Sequence, residues 1–276
     1  MGLIDTHCHI HEIVEQGNSQ DGVHQKWRKA GVDDAEAVAA AAHEAGVDGL
    51  VCVGTDVDDS ALAVGFVQDR DDAWATVGIH PHEAQRYVDD DAELQRFAAL
   101  SDRPRVVGVG ECGLDYYYGH SPEADQEKIL RFQIELALAK DLPLSFHVRD
   151  AFDDFWPIFD SYHASTPVRG VLHSFTADRA VLDQAMERGL YVALNGIMTF
   201  TKDKAQLAAA KAVPLDRLLL ETDAPYLTPA PKRGTICEPK HVRVTLEFLA
   251  ALREEDAPTL VAATTTNARL LFGLPG

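Results

Sequence analysis

The residues that could do chemistry in this chain stand at the ends of apolar runs. Ile-Asp-Thr-His-Cys-His at 4–9 sets His7 and His9 two apart, and in an extended backbone such residues point the same way, so both imidazoles can reach one ion. His147 closes Pro-Leu-Ser-Phe-His and His173 closes Gly-Val-Leu-His, while Glu111 follows Arg-Val-Val-Gly-Val-Gly and Asp223 follows Leu-Leu-Leu-Glu-Thr. A histidine pair alone is also what an ordinary surface carries; the recurrence at strand ends is what singles these residues out. Four imidazoles and two carboxylates exceed the needs of one tetrahedral ion and suit two cations sharing a bridging oxygen ligand. Glu111 is the natural bridge, because a carboxylate offers two oxygens whereas an imidazole has one free lone pair. Asp223 can bind a cation and also accept a proton from the attacking water. The mixed nitrogen and oxygen shell is compatible with zinc, manganese or magnesium and selects none of them.

Several neighbours are candidate substrate contacts. His80 follows the strand that ends at Ile79, so it faces the same mouth, with a structural hydrogen-bonding histidine as the alternative. Arg149, two beyond His147, can grip a phosphate bidentately or pair with a carboxylate such as Asp150. His82 and Lys202 are weaker cases. Tyr116, Tyr117 and Tyr118 can stack on a base, but packing over the rim is expected of at least two of them. Gly108-Val-Gly110-Glu-Cys-Gly113 satisfies the Gly-x-Gly-x-x-Gly pattern, yet a dinucleotide fingerprint opens directly into its helix, and here the helix begins only near Pro122. These glycines are expected to make space around Glu111. Neither a phosphate-binding P-loop nor a Gly-x-Ser-x-Gly elbow is present.

Positioning these residues requires a repeated scaffold. Strand-length apolar runs lie at Leu3–Thr6, Gly49–Val53, Ala73–Ile79, Arg105–Gly110, Leu144–His147, Val168–His173, Leu190–Asn195 and Arg217–Glu221. Helical segments lie between and after them, around 33–45, 57–70, 90–100, 122–141, 152–162, 178–188, 203–212 and 239–251, with one more short helix over 256–272. In 126–138, Ile129, Phe132, Leu136 and Leu138 gather on one side and Glu127, Lys128, Arg131 and Glu135 cover much of the other. Eight such alternations predict an α/β fold, a TIM-type (β/α)8 barrel, with the metal site at the C-terminal ends of the strands; an open doubly wound sheet is the alternative. The segment 12–31 reads as a long loop on the catalytic face.

The chain of 276 residues is read as one domain, 1–276, since 46% hydrophobic content and no Pro/Gly/Ser-rich tract leave no linker. A formal charge of −19 argues against wrapping long duplex DNA, which rests on cationic contacts to phosphates. It does not exclude a nucleic-acid enzyme, because bound divalent cations invert the local charge. The four cysteines form no Cys-x-x-Cys pair and fit a reduced, cytoplasmic setting. No run of 18 uncharged apolar residues offers a membrane span, and no obligate protein partner is implied.

Asp-Thr-His-Cys-His at 5–9, Gly-Ile-His-Pro-His at 78–82, Gly-Glu-Cys-Gly-Leu-Asp-Tyr-Tyr at 110–117, Phe-His-Val-Arg-Asp at 146–150, His-Ser-Phe-Thr at 173–176 and Glu-Thr-Asp-Ala-Pro-Tyr-Leu at 221–227 resemble the TatD family of metal-dependent deoxyribonucleases. The likeness continues through Pro231-Lys-Arg-Gly234, Glu238-Pro239 and Thr265-Thr-Asn-Ala-Arg269, so it spans nearly the whole chain in order. It implies a barrel of the amidohydrolase-like superfamily and phosphodiester hydrolysis of the 3′–5′ exonuclease type, acting on DNA ends or single strands. The family's metal ligands fall on His7, His9, Glu111, His147, His173 and Asp223, and its substrate-site histidine and arginine fall on His80 and Arg149. The chain departs at Ile10-His11, where the family continues Leu-Asp, at Cys237, where an Asn is usual, and in the length of 12–31. The rival readings are an amidohydrolase-like enzyme cleaving a lactone, cyclic amide or phosphotriester, and a non-catalytic metal-binding scaffold. Many such amidohydrolases bridge their metals with a carboxylated lysine, and no lysine lies near the ligand-bearing strand ends, so Glu111 favours the nuclease.

Overall fold

Eight parallel strands follow one another around a sheet in sequence order: β1 Leu3–Cys8, β2 Val47–Val53, β3 Ala73–Val77, β4 Val106–Asp115, β5 Leu144–Arg149, β6 Gly170–Leu172, β7 Tyr191–Leu194 and β8 Leu218–Leu220. The computed structural model describes residues 2–14 and 22–276. Each strand pairs in parallel with the next. The ring closes through a parallel bridge between Cys8 and Ala224. Its hydrogen bonds run from Asp223 N to the His7 carbonyl and from His9 N to the Ala224 carbonyl, both 2.8 Å. The expected barrel is therefore present, and the bonds that close it are made by the backbones of three candidate ligands.

Period-two alternation sorts the side chains. Leu50 and Cys52 pack outward among the helices, whereas Val51 and Val53 join Ile4, Val171, Ala193 and Leu219 in an inner cluster. Ala268, Leu271 and Phe272 of the C-terminal helix Ala257–Phe272 complete that cluster with Trp74. This helix is tied to the N-terminal side of the sheet: Thr265 donates to the Gly2 carbonyl, and Asn267 to the carbonyls of Leu215 and Leu218. The Thr-Thr-Asn-Ala-Arg motif thus seals the face opposite the site.

Helix starts account for some of the acidic excess. Asp34, Asp56, Asp90, Asp178, Asp203 and Asp256 each occupy an N-cap and accept backbone N–H bonds there, where a carboxylate also meets the positive end of the helix dipole.

Three expectations need correction. β4 runs on to Asp115, so Glu111 lies inside it; a register shift between Val109 and Cys112 lets the strand continue past the ligand. The segment 12–31 is not all loop: residues 10–13 form a 3-10 turn and Val23–Lys29 is a helix, anchored because Val23 and Trp27, one turn apart, are buried. Residues 15–21 of that segment lie outside the described residues. In helix Glu123–Lys140 the buried stripe is Gln126, Ile129, Leu130, Gln133, Ile134 and Ala137, with Phe132, Leu136 and Leu138 only half-buried.

Candidate metal centre

Glu111 is the hub, buried at the floor of a cavity of about 960 Å³ at the C-terminal ends of the strands. Its Oε2 faces His7 Nε2 at 3.3 Å. Its Oε1 faces His147 Nδ1 at 2.8 Å, His173 Nε2 at 2.9 Å and His80 Nε2 at 3.4 Å. Asp223 Oδ1 lies 3.4 Å from His9 Nε2 and 3.8 Å from His7 Nε2. All six residues singled out at strand ends are brought together, and His80 with them.

The glycines of 108–113 do make room here, as expected. A Cβ at Gly113 would run into the His147 carbonyl, and one at Gly110 into the Ser145 carbonyl; both glycines also have positive φ. β4 and β5 can therefore approach closely enough to bring Glu111 and His147 into contact.

The imidazoles are aimed. His9 Nδ1 bonds the Val53 carbonyl at 2.8 Å, which leaves its Nε2 lone pair toward Asp223. His147 Nε2 bonds Asp115 Oδ2 at 2.8 Å, leaving Nδ1 toward Glu111. His173 Nδ1 stands 3.4 Å from Glu221 Oε1, itself held by Ser174 N and Asn195 Nδ2. Of the three histidines facing Glu111 Oε1, His147 and His173 thus have a carboxylate behind them, while His80 Nδ1 accepts from the His82 backbone N–H. Asp115 and Glu221 were missed as functional residues although both sit inside quoted motifs; the available signal was an acid four residues after Glu111 and another two before Asp223.

Electrostatics follow from that geometry. Burial alone would raise the Glu111 carboxyl, but His173, His80 and His147 outweigh it and hold it well below the usual range. Burial would likewise lower His9, yet Asp223 and Glu111 lift it to about 9. His7 is pushed down by burial and by His173 beside it.

His7 supplies the fit test for a cation. Both its ring nitrogens are buried and make no hydrogen bond among the described residues, although Nε2 points at the Glu111 and Asp223 oxygens. A buried lone pair without a donor, among carboxylates and other imidazoles, is completed by a divalent ion. Sets of donor atoms within 4.8 Å of one another include His7, His9 and Glu111 on one side and His80, Glu111 and His147 on the other. The clusters suit a binuclear centre, and nitrogen and oxygen donors leave magnesium, manganese and zinc open.

Comparison with known proteins decides the lineage. The family model described as TatD related DNase matches residues 4–273. The chain belongs to the TatD-related DNase family. It is a metal-dependent hydrolase of the phosphoester-cleaving kind. Among relatives of this family, it is 34% identical over 98% of both chains to an uncharacterized metal-dependent hydrolase, YabD, of Bacillus subtilis. It is 36% identical to the protein named 3′-5′ ssDNA/RNA exonuclease TatD of Citrobacter rodentium, over 88% of this chain and 93% of that one. The crystal structure of the TatD homolog YJJV of Escherichia coli superposes with a TM-score of 0.85 at 25% identity, covering 99% and 98% of the two chains.

Around the TatD-type centre the other candidates divide. Arg149 lines the cavity and lies over the rings of Tyr117 and Tyr118, 4.0 and 5.0 Å from their centroids. It has no ion-paired carboxylate among the described residues, so the expected alternative, a pair with Asp150, is not formed. Tyr116 packs and donates its hydroxyl to Asp154, and Tyr118, though 54% exposed, lies edge-on to His82 and stacked on His120, while Tyr117 is 59% exposed. His82 sits 3.3 Å from Asp115, beneath the mouth. Lys202 is exposed and does not line the cavity. Lys26 does line it, lying over Tyr226 from helix Val23–Lys29. It comes from 12–31, as expected of a segment on the catalytic face.

Proposed function

We propose that the chain is a deoxyribonuclease that removes nucleotides from a free end or single strand of DNA in the 3′–5′ sense, in a reducing cytoplasmic setting. In this reading His7, His9 and Asp223 hold one divalent cation, His147 and His173 hold the other, and Glu111 serves both. The observation that carries it is the division of the Glu111 carboxylate, with Oε2 turned to His7 and Oε1 to His147 and His173. When bound, such a pair of cations supplies Lewis-acid polarisation of a phosphoryl oxygen and lowers the pKa of water.

The remaining work falls to the chain itself. Asp223, 17% exposed at its side chain and open to the cavity, accepts the proton of the attacking water. Arg149, with no ion-paired carboxylate among the described residues, grips a phosphate at the rim, and His80, buried beside Glu111, steadies it from below. The exposed rings of Tyr117 and Tyr118 offer faces on which an unstacked terminal base can lie. An end suits this surface better than a duplex groove, since the chain carries −19 overall and the cavity lining sets Glu111, Asp115, Asp150, Asp153 and Asp223 against Lys26 and Arg149. The exonuclease name of the Citrobacter rodentium relative supports the substrate class.

The test is a substrate panel. Metal-reconstituted protein is incubated with 5′-labelled single-stranded and duplex DNA, a lactone and a phosphotriester. Progressive shortening of the single strand is expected, with little turnover of the small esters. Turnover of lactone or phosphotriester with DNA left intact would overturn the proposal.

A further inference from the structure

The departure at His11 builds a second cluster beside the centre just described. The turn Ile10–Ile13 buries His11 and Glu12 to 1% exposure, and helix Val57–Val67 brings the fully buried Asp59 against them. His9, His11, Glu12 and Asp59 each present a donor atom, all within 4.8 Å of one another. Both nitrogens of His9 are committed, Nδ1 to the Val53 carbonyl and Nε2 toward Asp223. The set that remains is His11, Glu12 and Asp59, which shares no donor atom with the Glu111 centre.

Counting donors and acceptors leaves this set incomplete. Asp59 Oδ2 accepts from Thr55 N at 2.8 Å and Thr55 Oγ1 at 3.0 Å, so Oδ1 is left for His11 Nε2, 2.8 Å away. The His11 ring interacts with the Cys52 thiol as well as with Asp59, whereas Glu12 Oε1 is buried and makes no hydrogen bond among the described residues. Native structures resolve such groups with an ordered water or an ion. A divalent ion also neutralises both buried carboxylates at once, whereas a water leaves them facing each other. An ion here would take the place of the proton that His11 Nε2 and Asp59 Oδ1 share at 2.8 Å, since donor atoms about 2.1 Å from one ion stand about 3 Å apart.

We propose that His11, Glu12 and Asp59 form a third cation site, structural rather than catalytic, taking Zn²⁺ or Mn²⁺. One imidazole and two carboxylates suit these borderline ions, while Mg²⁺ would demand waters that the buried cluster has little room to keep. The ion links the turn after β1 to the helix after β2, directly behind His9. It does not depend on what the Glu111 centre cleaves.

The experiment counts metal. The full chain is refolded in excess Zn²⁺ or Mn²⁺, freed of unbound ion and analysed by plasma mass spectrometry. Wild type should hold one ion more per chain than Glu12→Gln and one more than His11→Asn, with circular dichroism showing both variants folded. The occupancy of the other centre is read separately by Glu111→Gln, so its failure is distinguishable from failure here. Equal counts in wild type and the folded variants would overturn the site. Should either variant not fold, anomalous scattering at the metal edge from wild-type crystals decides: a peak among His11, Glu12 and Asp59 supports the site, and its absence there overturns it.

Discussion

Glu111 can face two groups of histidines because each ring around it is held from behind. Asp115 shows how much of the centre lies one step back from the ligands: it is fully buried and bonds His147 Nε2 at 2.8 Å, while its other oxygen accepts from the backbone N–H groups of Tyr117 and Tyr118. Burial would raise its carboxyl, but the bonds to His147 and His82 outweigh that and hold it far below the usual range. A charged acceptor fixes the tautomer of His147 and makes the metal-facing nitrogen more basic. Asp115→Asn keeps the shape and removes the charge. It should weaken metal binding about 10–100-fold while the fold survives, as such outer carboxylates typically do; isothermal titration of apo protein with Mn²⁺ measures this, and unchanged affinity would remove Asp115 from the design. The six strand-end residues were legible because an apolar run stopping at a His, Glu or Asp is a pattern along the chain. Asp115 and Glu221 act across strands, and a carboxylate that backs an imidazole many residues away leaves no periodic trace.

Among the elements, helix Glu123–Lys140 does more than cover the sheet. Gln133 Oε1 accepts from Ile79 N at 2.8 Å and its Nε2 donates to the Ile79 carbonyl at 2.9 Å, while Gln126 does the same for Asp115 at 2.8 and 3.1 Å. Two buried amides two turns apart thus clamp the backbone just before His80 and at the residue behind His147. Gln133→Leu fills a similar volume but orphans an N–H and a carbonyl, at about 1–3 kcal/mol for each. The expected result is a loss of about 2–6 kcal/mol in urea denaturation, together with reduced turnover; stability within error of wild type would show the clamp to be dispensable. The helix itself was legible from its periodicity, but its true buried stripe was not, because glutamine counts as polar in any pattern of hydrophobicity. The helix Val23–Lys29 was hidden for a related reason: it is seven residues long, lacks a side-chain N-cap bond, and its Trp27 is fixed by a tertiary bond from Nε1 to the His9 carbonyl at 3.2 Å.

At the scale of the whole molecule, closing the barrel and building the site are one event. The backbone bonds that join the first strand to the segment after the last involve His7, His9 and Asp223, so these side chains come into register when the ring shuts. The eightfold alternation of elements was legible because a parallel strand and its covering helix each impose a period on the chain. The closure was less so, since it depends on residues more than 200 apart. The −19 charge sits partly in helix caps and surface pairs and partly at the cavity, where Asp150 and Asp153 line the wall beside Arg149 and Lys26. Among the described residues no helix is long and apolar enough to cross a membrane. The measurement that bears most directly on a shared Glu111 is anomalous diffraction from crystals loaded with Mn²⁺. Two peaks should flank the Glu111 carboxylate, one against His7, His9 and Asp223 and the other against His147 and His173, and both should weaken in Glu111→Gln. A single peak at this centre, or two that do not touch Glu111, would contradict the account.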